Sequence, residues 1–263
     1  MAERPLFTTV PPEPEETADP GWDERRMSII EHLEELRRVL IVSLSAWGIA
    51  SVVGVILSGF AITLLAQPLK YLAKVNADAT RLHYLSPMGY FTIHLKVGIV
   101  LGLAIALPVV LWQIWSFVAP GLRPVERRFA GPLLASSLLL FALGAGLAYL
   151  FLYIAVRIIG AVSGSGSDLV FFPEATAYLG FVVILMLAFA LTFEFPVALV
   201  LMATVGLVKS SQLARWRRGA YLLIAAAGYV VTPGVDPVTP LALIIPLLLL
   251  YEGSIFVIRR MKH

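Results

Sequence analysis

Six long apolar stretches constrain this sequence of 263 residues more than any other feature. An α-helix needs about 20 apolar residues to cross a membrane, and the first four stretches exceed that length. Only 14% of the residues are charged, against about 25% in a soluble domain. The sequence therefore predicts an all-α integral membrane protein and excludes a soluble or a largely disordered one. The predicted spans are Val39–Leu65, Phe91–Val118, Phe129–Ile159, Tyr178–Val205, Arg218–Thr232 and Thr239–Ile258.

Positive charge lies mostly on one side of these spans. Apart from Arg4 near the N-terminus, fourteen lysines and arginines precede span 1, separate spans 2 and 3 or spans 4 and 5, or follow span 6. The other side carries only Lys70, Lys74, Arg81 and Arg157, with Lys96 near the same end of span 2. Since basic loops stay in the cytoplasm, both termini are predicted to be cytoplasmic.

The N-terminal region differs in composition from the remainder. The first 35 residues hold ten acids and three bases, and residues 1–26 are also rich in proline. Such a segment buries too little apolar surface to offset the entropy of ordering, so we expect a disordered acidic tail before a membrane domain at 27–263. No apolar stretch with a cleavage site marks a secretory signal. Ser28 and Glu31 form a capping-box pattern, which predicts a short amphipathic helix running into span 1.

The lengths and small residues of the spans indicate how they pack. Arg218–Thr232 makes roughly 22 Å of helix, against a hydrocarbon core of about 30 Å, and span 6 is short as well. Either these two spans thin the bilayer locally, or they pack inside the protein and avoid lipid. In span 2, Gly98, Gly102 and Ala106 form a row of small residues, which predicts close contact with another helix. Pro108 is expected to kink the same span.

Glu194 is the main chemical anomaly, because it lies inside span 4. An ionised acid there costs a few kcal/mol and usually faces the bundle interior or a watered cavity. One interpretation is a neutral acid that hydrogen-bonds a neighbouring helix. The other is a polar recess that receives a polar group of a partner or substrate. Thr192 and Pro196 flank the acid, and Pro196 frees a backbone carbonyl one turn earlier.

Four further acids have simple interpretations when taken singly. Glu126 and Glu35 are compatible with surface acids paired to basic neighbours, which contribute little. Asp236, in the loop between spans 5 and 6, is most simply a turn residue. Glu252 is interpreted as a partner of Arg259 or Arg260.

No catalytic machinery is visible in the sequence. The absence of cysteine excludes disulfides, thiolate catalysis and cysteine-ligated metals. The four histidines are scattered, and no nucleotide, metal or nucleophile motif occurs. The bases are divided among short clusters at the membrane, which argues against nucleic-acid binding. We therefore expect neither an enzyme nor a cofactor.

Taken together, the motifs resemble the TatC subunit of the twin-arginine protein translocase from about Met27 to the C-terminus. Any one motif is weak, but six in order on six spans are specific. They are His32-Leu-Glu-Glu-Leu-Arg37, Ser86-Pro87, Leu111-Trp-Gln-Ile-Trp-Ser-Phe-Val-Ala-Pro120, Glu126-Arg-Arg128, Phe193-Glu-Phe-Pro196, and Val231-Thr-Pro233 with Asp236.

The resemblance implies a glove-like, concave bundle and a function. The family recognises signal peptides with consecutive arginines and moves folded proteins across a membrane on the proton-motive force. Glu35 and Glu126 match its recognition surface, and Arg37, Arg127 and Arg128 form the basic surroundings. Carboxylates accept the planar guanidinium fork in a bidentate manner, which lysine cannot reproduce.

The resemblance also implies a location and partners. It places the chain in the cytoplasmic membrane of a prokaryote. It implies single-span partners of the TatA and TatB type, docking against spans 5 and 6 and the adjacent face of span 4, and self-association in the receptor complex. The position of Glu194 faces a partly watered groove in the family.

The main alternative is a proton-coupled secondary transporter of a small solute, because such a carrier also needs an intramembrane acid. Against it, the sequence shows no internal repeat and no matched pair of broken helices.

Overall fold

The computed structural model describes residues 29–74, 81–119, 130–163, 173–231 and 238–261, and these fold into helices without a β-sheet. A 3₁₀ helix, Gln67–Lys74, directly follows the first α-helix. The α-helices are α1 Ile29–Ala66, α2 Pro87–Val118, α3 Ala130–Ser163, α4 Ala175–Thr192, α5 Phe195–Thr204, α6 Ser210–Arg215, α7 Arg217–Val231 and α8 Val238–Met261.

The long helices correspond to the predicted spans. Among the described residues, five stretches are long and apolar enough to cross a membrane, and α7, with 15 residues, is the short span expected between the fourth and the last. The predicted amphipathic helix and span 1 form one uninterrupted helix, α1. The five stretches are Ile30–Leu72, Pro87–Val118, Gly131–Ile158, Ala175–Thr204 and Pro240–Met261.

Six alternating crossings define two ends of the bundle. Ile29 and Met261 lie at one end, which we call the terminal face. The 3₁₀ helix, residues 81–86 and the start of α4 lie at the other end, which we call the loop face. That the terminal face is cytoplasmic remains a prediction from the charges.

The predicted small-residue row makes the closest helix contact described, between α1 and α2. A Cβ added to Gly98 would lie 2.6 Å from the Cα of Val55, and one added to Gly102 would lie 2.4 Å from the Cα of Ser51. The Trp47 indole donates a hydrogen bond to the Ile99 carbonyl at 3.0 Å across the same contact. The prediction of close packing at this row is therefore confirmed. Helix α2 itself continues through its internal proline.

The fourth span is broken rather than continuous. Helix α4 ends at Thr192 and α5 begins at Phe195, so that Phe193 and Glu194 form a turn. Pro196 lies in the first turn of α5, where its missing N–H leaves no bond unmade. The proline is therefore well placed for a helix start at Phe195.

Side chains cap the helices at the loop face. Ser86 accepts a hydrogen bond from the Gly89 N–H at 3.0 Å and begins α2. Glu174 accepts from the N–H groups of Thr176, at 2.9 Å, and Ala177, and begins α4. Burial raises the pKa of Glu174, but these N–H donors and the Thr176 hydroxyl outweigh it, so the pKa is lowered overall. The Ala175 N–H also donates to the His83 carbonyl at 2.8 Å, which ties residues 81–86 to α4.

Three apolar clusters hold the described helices together, and the smallest joins α5 to α8 through Val200, Ala203 and Ile258. Another joins the 3₁₀ helix to α2, α3 and α4 near the loop face, with Leu69, Ile93 and Leu179 fully buried. The third joins α3 and α4 to α8 through residues such as Phe189 and Leu243. The short span α7 packs on α8, where Gly228 meets the Ile244 side chain.

Candidate functional site

Glu35 lies on the first turns of α1 and beside the end of α2. His32, one turn earlier, stacks on Phe117 with ring centroids 4.3 Å apart and planes 18° apart. The His32 Nδ1 lies 3.8 Å from the Glu35 Oε2, too far for a hydrogen bond. Within the described part of the chain, this buried Oε2 has no hydrogen-bond partner. Glu35 therefore has a carboxylate oxygen that lacks a hydrogen-bond donor among the described residues.

The other residues predicted for arginine recognition are described only in part. Arg37 is exposed on α1, two residues after Glu35. The remaining three, Glu126, Arg127 and Arg128, lie outside the described residues, as does Asp236. His32 stacks on Phe117, and Phe117 precedes the segment 126–128 in the sequence.

Glu194 occupies the turn between α4 and α5 and makes one polar contact to another helix. Ser137 of α3 donates a hydrogen bond to its Oε2. Its Oε1 is buried and has no partner among the residues that the structure describes. The carboxyl group is thus half satisfied, which leaves one oxygen for a donor from outside.

Thr192, predicted to share a polar groove with Glu194, does not bond to it. Its hydroxyl donates to the Ala188 carbonyl of its own helix at 2.5 Å. The partner that sequence reasoning missed is Ser137. Its signal was a pair of serines, Ser136 and Ser137, within an otherwise apolar span. Only Ser137 reaches Glu194, since Ser136 donates to the Pro132 carbonyl at 2.5 Å.

The interpretation of Glu252 as a partner of Arg259 or Arg260 is wrong. Its Oε2 accepts from Arg217 at 2.7 Å and its Oε1 from the Tyr221 hydroxyl at 2.6 Å. Both donors come from α7, so this acid joins the two short spans. Helical periodicity within α8 could not reveal a partner on another helix.

An open groove of about 560 Å³ lies between α5, α6, α7 and α8. Apolar side chains line most of it. The residues are Phe195, Leu199, Leu207, Val208, Gln212, Leu213, Trp216, Gly219, Ala220, Leu223 and Tyr251. Phe195 directly follows Glu194, so the groove begins beside the polar break.

Comparison with known proteins places these features in one family. The model of the family described as Sec-independent protein translocase protein (TatC) matches residues 31–246. The chain belongs to the TatC family. A TatC protein of Carboxydothermus hydrogenoformans is 33% identical over 91% of this chain and 96% of its own length. One of Aquifex aeolicus is 35% identical over 88% and 94%. A chloroplast TatC protein of Arabidopsis thaliana is 36% identical over 90% of this chain and 68% of its own length.

Solved TatC structures share the fold. A crystal structure of the twin-arginine translocase receptor TatC has 34% sequence identity and a TM-score of 0.73, with 89% of this chain and all of that chain covered. A second, of the same receptor in DDM, has a TM-score of 0.75 and covers 86% and 99%. The predicted six-span TatC fold is therefore confirmed. The protein is a multi-pass membrane component of the Sec-independent translocase, and the family's role in protein transport is not enzymatic.

Proposed function

We propose that this TatC protein is the receptor subunit that binds twin-arginine signal peptides through Glu35 and Glu126. With TatA-type and TatB-type single-span partners, it moves folded proteins across the cytoplasmic membrane of a prokaryote on the proton-motive force. The terminal face is the cytoplasmic side, and the receptor complex contains more than one copy of the chain.

The free oxygen of Glu35 carries this proposal. Its Oε2 is buried without a hydrogen-bond partner among the described residues, and the stack of His32 on Phe117 holds that turn beside α2. A guanidinium can satisfy such an oxygen and leave a second N–H for the other carboxylate oxygen. The segment with Glu126 follows α2 in the sequence and supplies the acid for the second arginine.

Peptide binding tests the receptor role. The purified chain in detergent is titrated with a labelled signal peptide that carries two arginines, and with the same peptide carrying two lysines. We expect the arginine peptide to bind more tightly, and Glu35→Ala or Glu126→Ala to weaken it roughly 10- to 100-fold, because each removes a charge-assisted hydrogen bond.

Glu34→Ala is the matched control, since Glu34 is an exposed acid on the same turn. It removes the same charge and should change binding little. Equal weakening by Glu34→Ala and Glu35→Ala would show that Glu35 acts only through its negative charge and not through a specific contact. Equal binding of the arginine and lysine peptides would refute the receptor role.

We propose that Glu194 forms a polar recess in the membrane that is needed for transport. Its unpartnered Oε1 can accept a hydrogen bond from a polar group of cargo or partner. Glu194→Ala should leave membrane insertion and signal-peptide binding intact and reduce transport of a folded cargo. Glu194→Gln, which keeps an acceptor, should restore part of it. Unchanged transport in Glu194→Ala would remove this role.

The groove between α5 and α8 is the surface that we assign to the single-span partners. The chain has no cysteine, so an introduced one is unique. Leu223→Cys lies in the groove, whereas Leu222→Cys is a matched control outside it, and both leucines are exposed. We expect crosslinking of a partner helix from position 223 and much less from 222. Equal yields from the two positions would refute this docking site.

A further inference from the structure

A second opening lies in the membrane-spanning part of the bundle, between α1, α2, α3 and α4. It is an apolar cleft of about 180 Å³. It runs from Val97 to Ala104 on α2 and from Val183 to Ala190 on α4, roughly 10 Å along each helix. The lining is Ala61, Leu64, Leu65, Val97, Val100, Leu101, Ala104, Phe141, Ala145, Val183, Met186, Leu187 and Ala190.

The size of the cleft limits what it can hold. A helix with its side chains is about 10 Å in diameter, wider than a cleft of about 180 Å³ spread over roughly 10 Å of length. An apolar cavity of about 150 Å³ holds a benzene ring, so this cleft suits a stretch of hydrocarbon chain. Its length is about two-thirds of the roughly 15 Å of one leaflet, half of the hydrocarbon core. A segment of a lipid acyl chain fits these dimensions, whereas a peptide helix does not.

Phenols surround the loop-face end of the cleft. The Tyr149 hydroxyl donates to the Leu64 carbonyl at 2.9 Å, and the Tyr178 hydroxyl donates to the Leu65 carbonyl at 3.0 Å. These carbonyls belong to two lining residues at the end of α1. Tyrosines with an apolar body and a hydroxyl are typical of the boundary between lipid tails and headgroups. The loop-face end of the cleft therefore lies at a level where tyrosines are typical.

One cation lies on the face of α3 that lines the cleft, further toward the loop face. Phe141 and Ala145 line the cleft, and residues spaced by four continue the same helix face through Tyr149 and Tyr153 to Arg157. The Arg157 guanidinium lies 5.7 Å from the centre of the Tyr71 ring. Arg157 is about 18 Å along the helix from Ala145, beyond the phenols.

A second cation, Lys96, directly precedes the lining residue Val97 on α2. Lys96 shares a helix face with Val100 and Ala104, which line the cleft. Its Nζ lies 3.8 Å from the position that a Cβ on Gly180 would occupy, one turn before Val183. Within the described ranges, neither Lys96 nor Arg157 forms an ion pair. A lysine in an apolar span is costly unless it meets a counter-charge or reaches the interface.

We propose that the cleft binds one acyl chain of an anionic phospholipid from the leaflet at the loop face, and that Lys96 and Arg157 hold its phosphate. The apolar walls select the chain, and the two cations select the anionic headgroup. This binding site is separate from the arginine-recognition surface at the terminal face.

Lipid retention by the full chain tests the site. The purified protein in detergent is mixed with phosphatidylglycerol or phosphatidylcholine, and bound lipid is counted by native mass spectrometry across lipid concentrations. We expect one tightly held phosphatidylglycerol and weaker retention of phosphatidylcholine. Lys96→Gln and Arg157→Gln should each weaken phosphatidylglycerol binding roughly fivefold. Arg81→Gln removes the same charge from the loop face outside the cleft and should have no effect.

A second pair of variants tests the acyl chain separately from the charge. Ala145→Leu fills the cleft and should weaken both lipids by about tenfold or more, because part of the chain loses its apolar contact. Ala142→Leu is the matched control, since Ala142 is exposed on the same helix. If Ala145→Leu does not fold, Ala104→Leu fills the cleft from α2 instead.

Three results would overturn the proposal. Equal retention in Ala145→Leu and Ala142→Leu would show that the lipid lies elsewhere. Equal affinity for the two lipids would remove the role of the cations. Displacement of the lipid by glycerol phosphate alone would show that the site binds free phosphate rather than a phospholipid.

Discussion

Replacing Gly98 with alanine should separate α1 from α2 and destabilise the protein. The added Cβ would lie 2.4 Å from the Val55 Cγ2, 2.6 Å from its Cα and 2.7 Å from its N, whereas ordinary contact is 3.4–4 Å. Because two of these atoms are backbone, α1 must retreat by about 1 Å instead of rotating a side chain. Overpacking of this kind costs about 1–3 kcal/mol, and alanine recovers up to about 1 kcal/mol of that through its helix propensity.

Gly59→Ala is the matched control for this substitution. Gly59 lies within α1, and a Cβ added there meets nothing within 4 Å. Its stability should stay constant or rise by up to about 1 kcal/mol. The difference between the two variants therefore isolates the helix contact.

The free energy of unfolding is measured by titration from a mild detergent into SDS with circular dichroism. In a background where the other four tryptophans are replaced by phenylalanine, emission of Trp47, whose indole donates to Ile99 of α2, reports the same contact. We expect Gly98→Ala to unfold at lower SDS and to shift the Trp47 emission. Equal unfolding curves for Gly98→Ala and Gly59→Ala would refute the inferred contact between the helix backbones.

Three further predictions concern hydrogen bonds to side chains. Ser86→Ala should cost about 1 kcal/mol in the same titration through loss of the α2 cap, and an unchanged midpoint would remove the cap's role. Ser137→Ala leaves the Glu194 carboxyl without its described donor and should lower the free energy of unfolding by about 1–3 kcal/mol. Ser136→Ala should lower it less, and the reverse order would contradict the structure. Because the pKa of Glu174 is lowered from its ordinary value of 4.5, its carboxylate stabilises the folded chain above pH 4.5. This stabilisation is lost as the pH falls through the lowered pKa. The thermal midpoint of Glu174→Gln should therefore fall less steeply on acidification than that of the unaltered chain, and parallel curves would disprove this.

Local chemistry explains what the sequence predicted correctly. Gly98 and Gly102 lack a Cβ, and their spacing by four puts both on one face of α2, so a close helix contact was predictable. The break at Phe193 and Glu194 was not predicted, although Pro196, which cannot donate a backbone hydrogen bond, is a local signal for it. These features depend on residues within one or two turns of each other.

The partners of the polar side chains were not predictable in the same way. Glu252 bonds to Arg217 and Tyr221 of α7 rather than to the arginines that follow it in α8. Glu194 bonds to Ser137, which lies on another span. Each pairing depends on which helices are neighbours and how far each is rotated about its axis.

The sequence by itself determined the number, order and approximate ends of the spans and the family, because length, hydropathy and local motifs encode them. Only the tertiary structure decided which faces meet, and hence the contacts of Glu194 and the position of the apolar cleft. The physical reason is that these spans are apolar on all sides. A helix in lipid gains no hydrophobic preference for one face, so close packing and polar contacts between helices set its orientation.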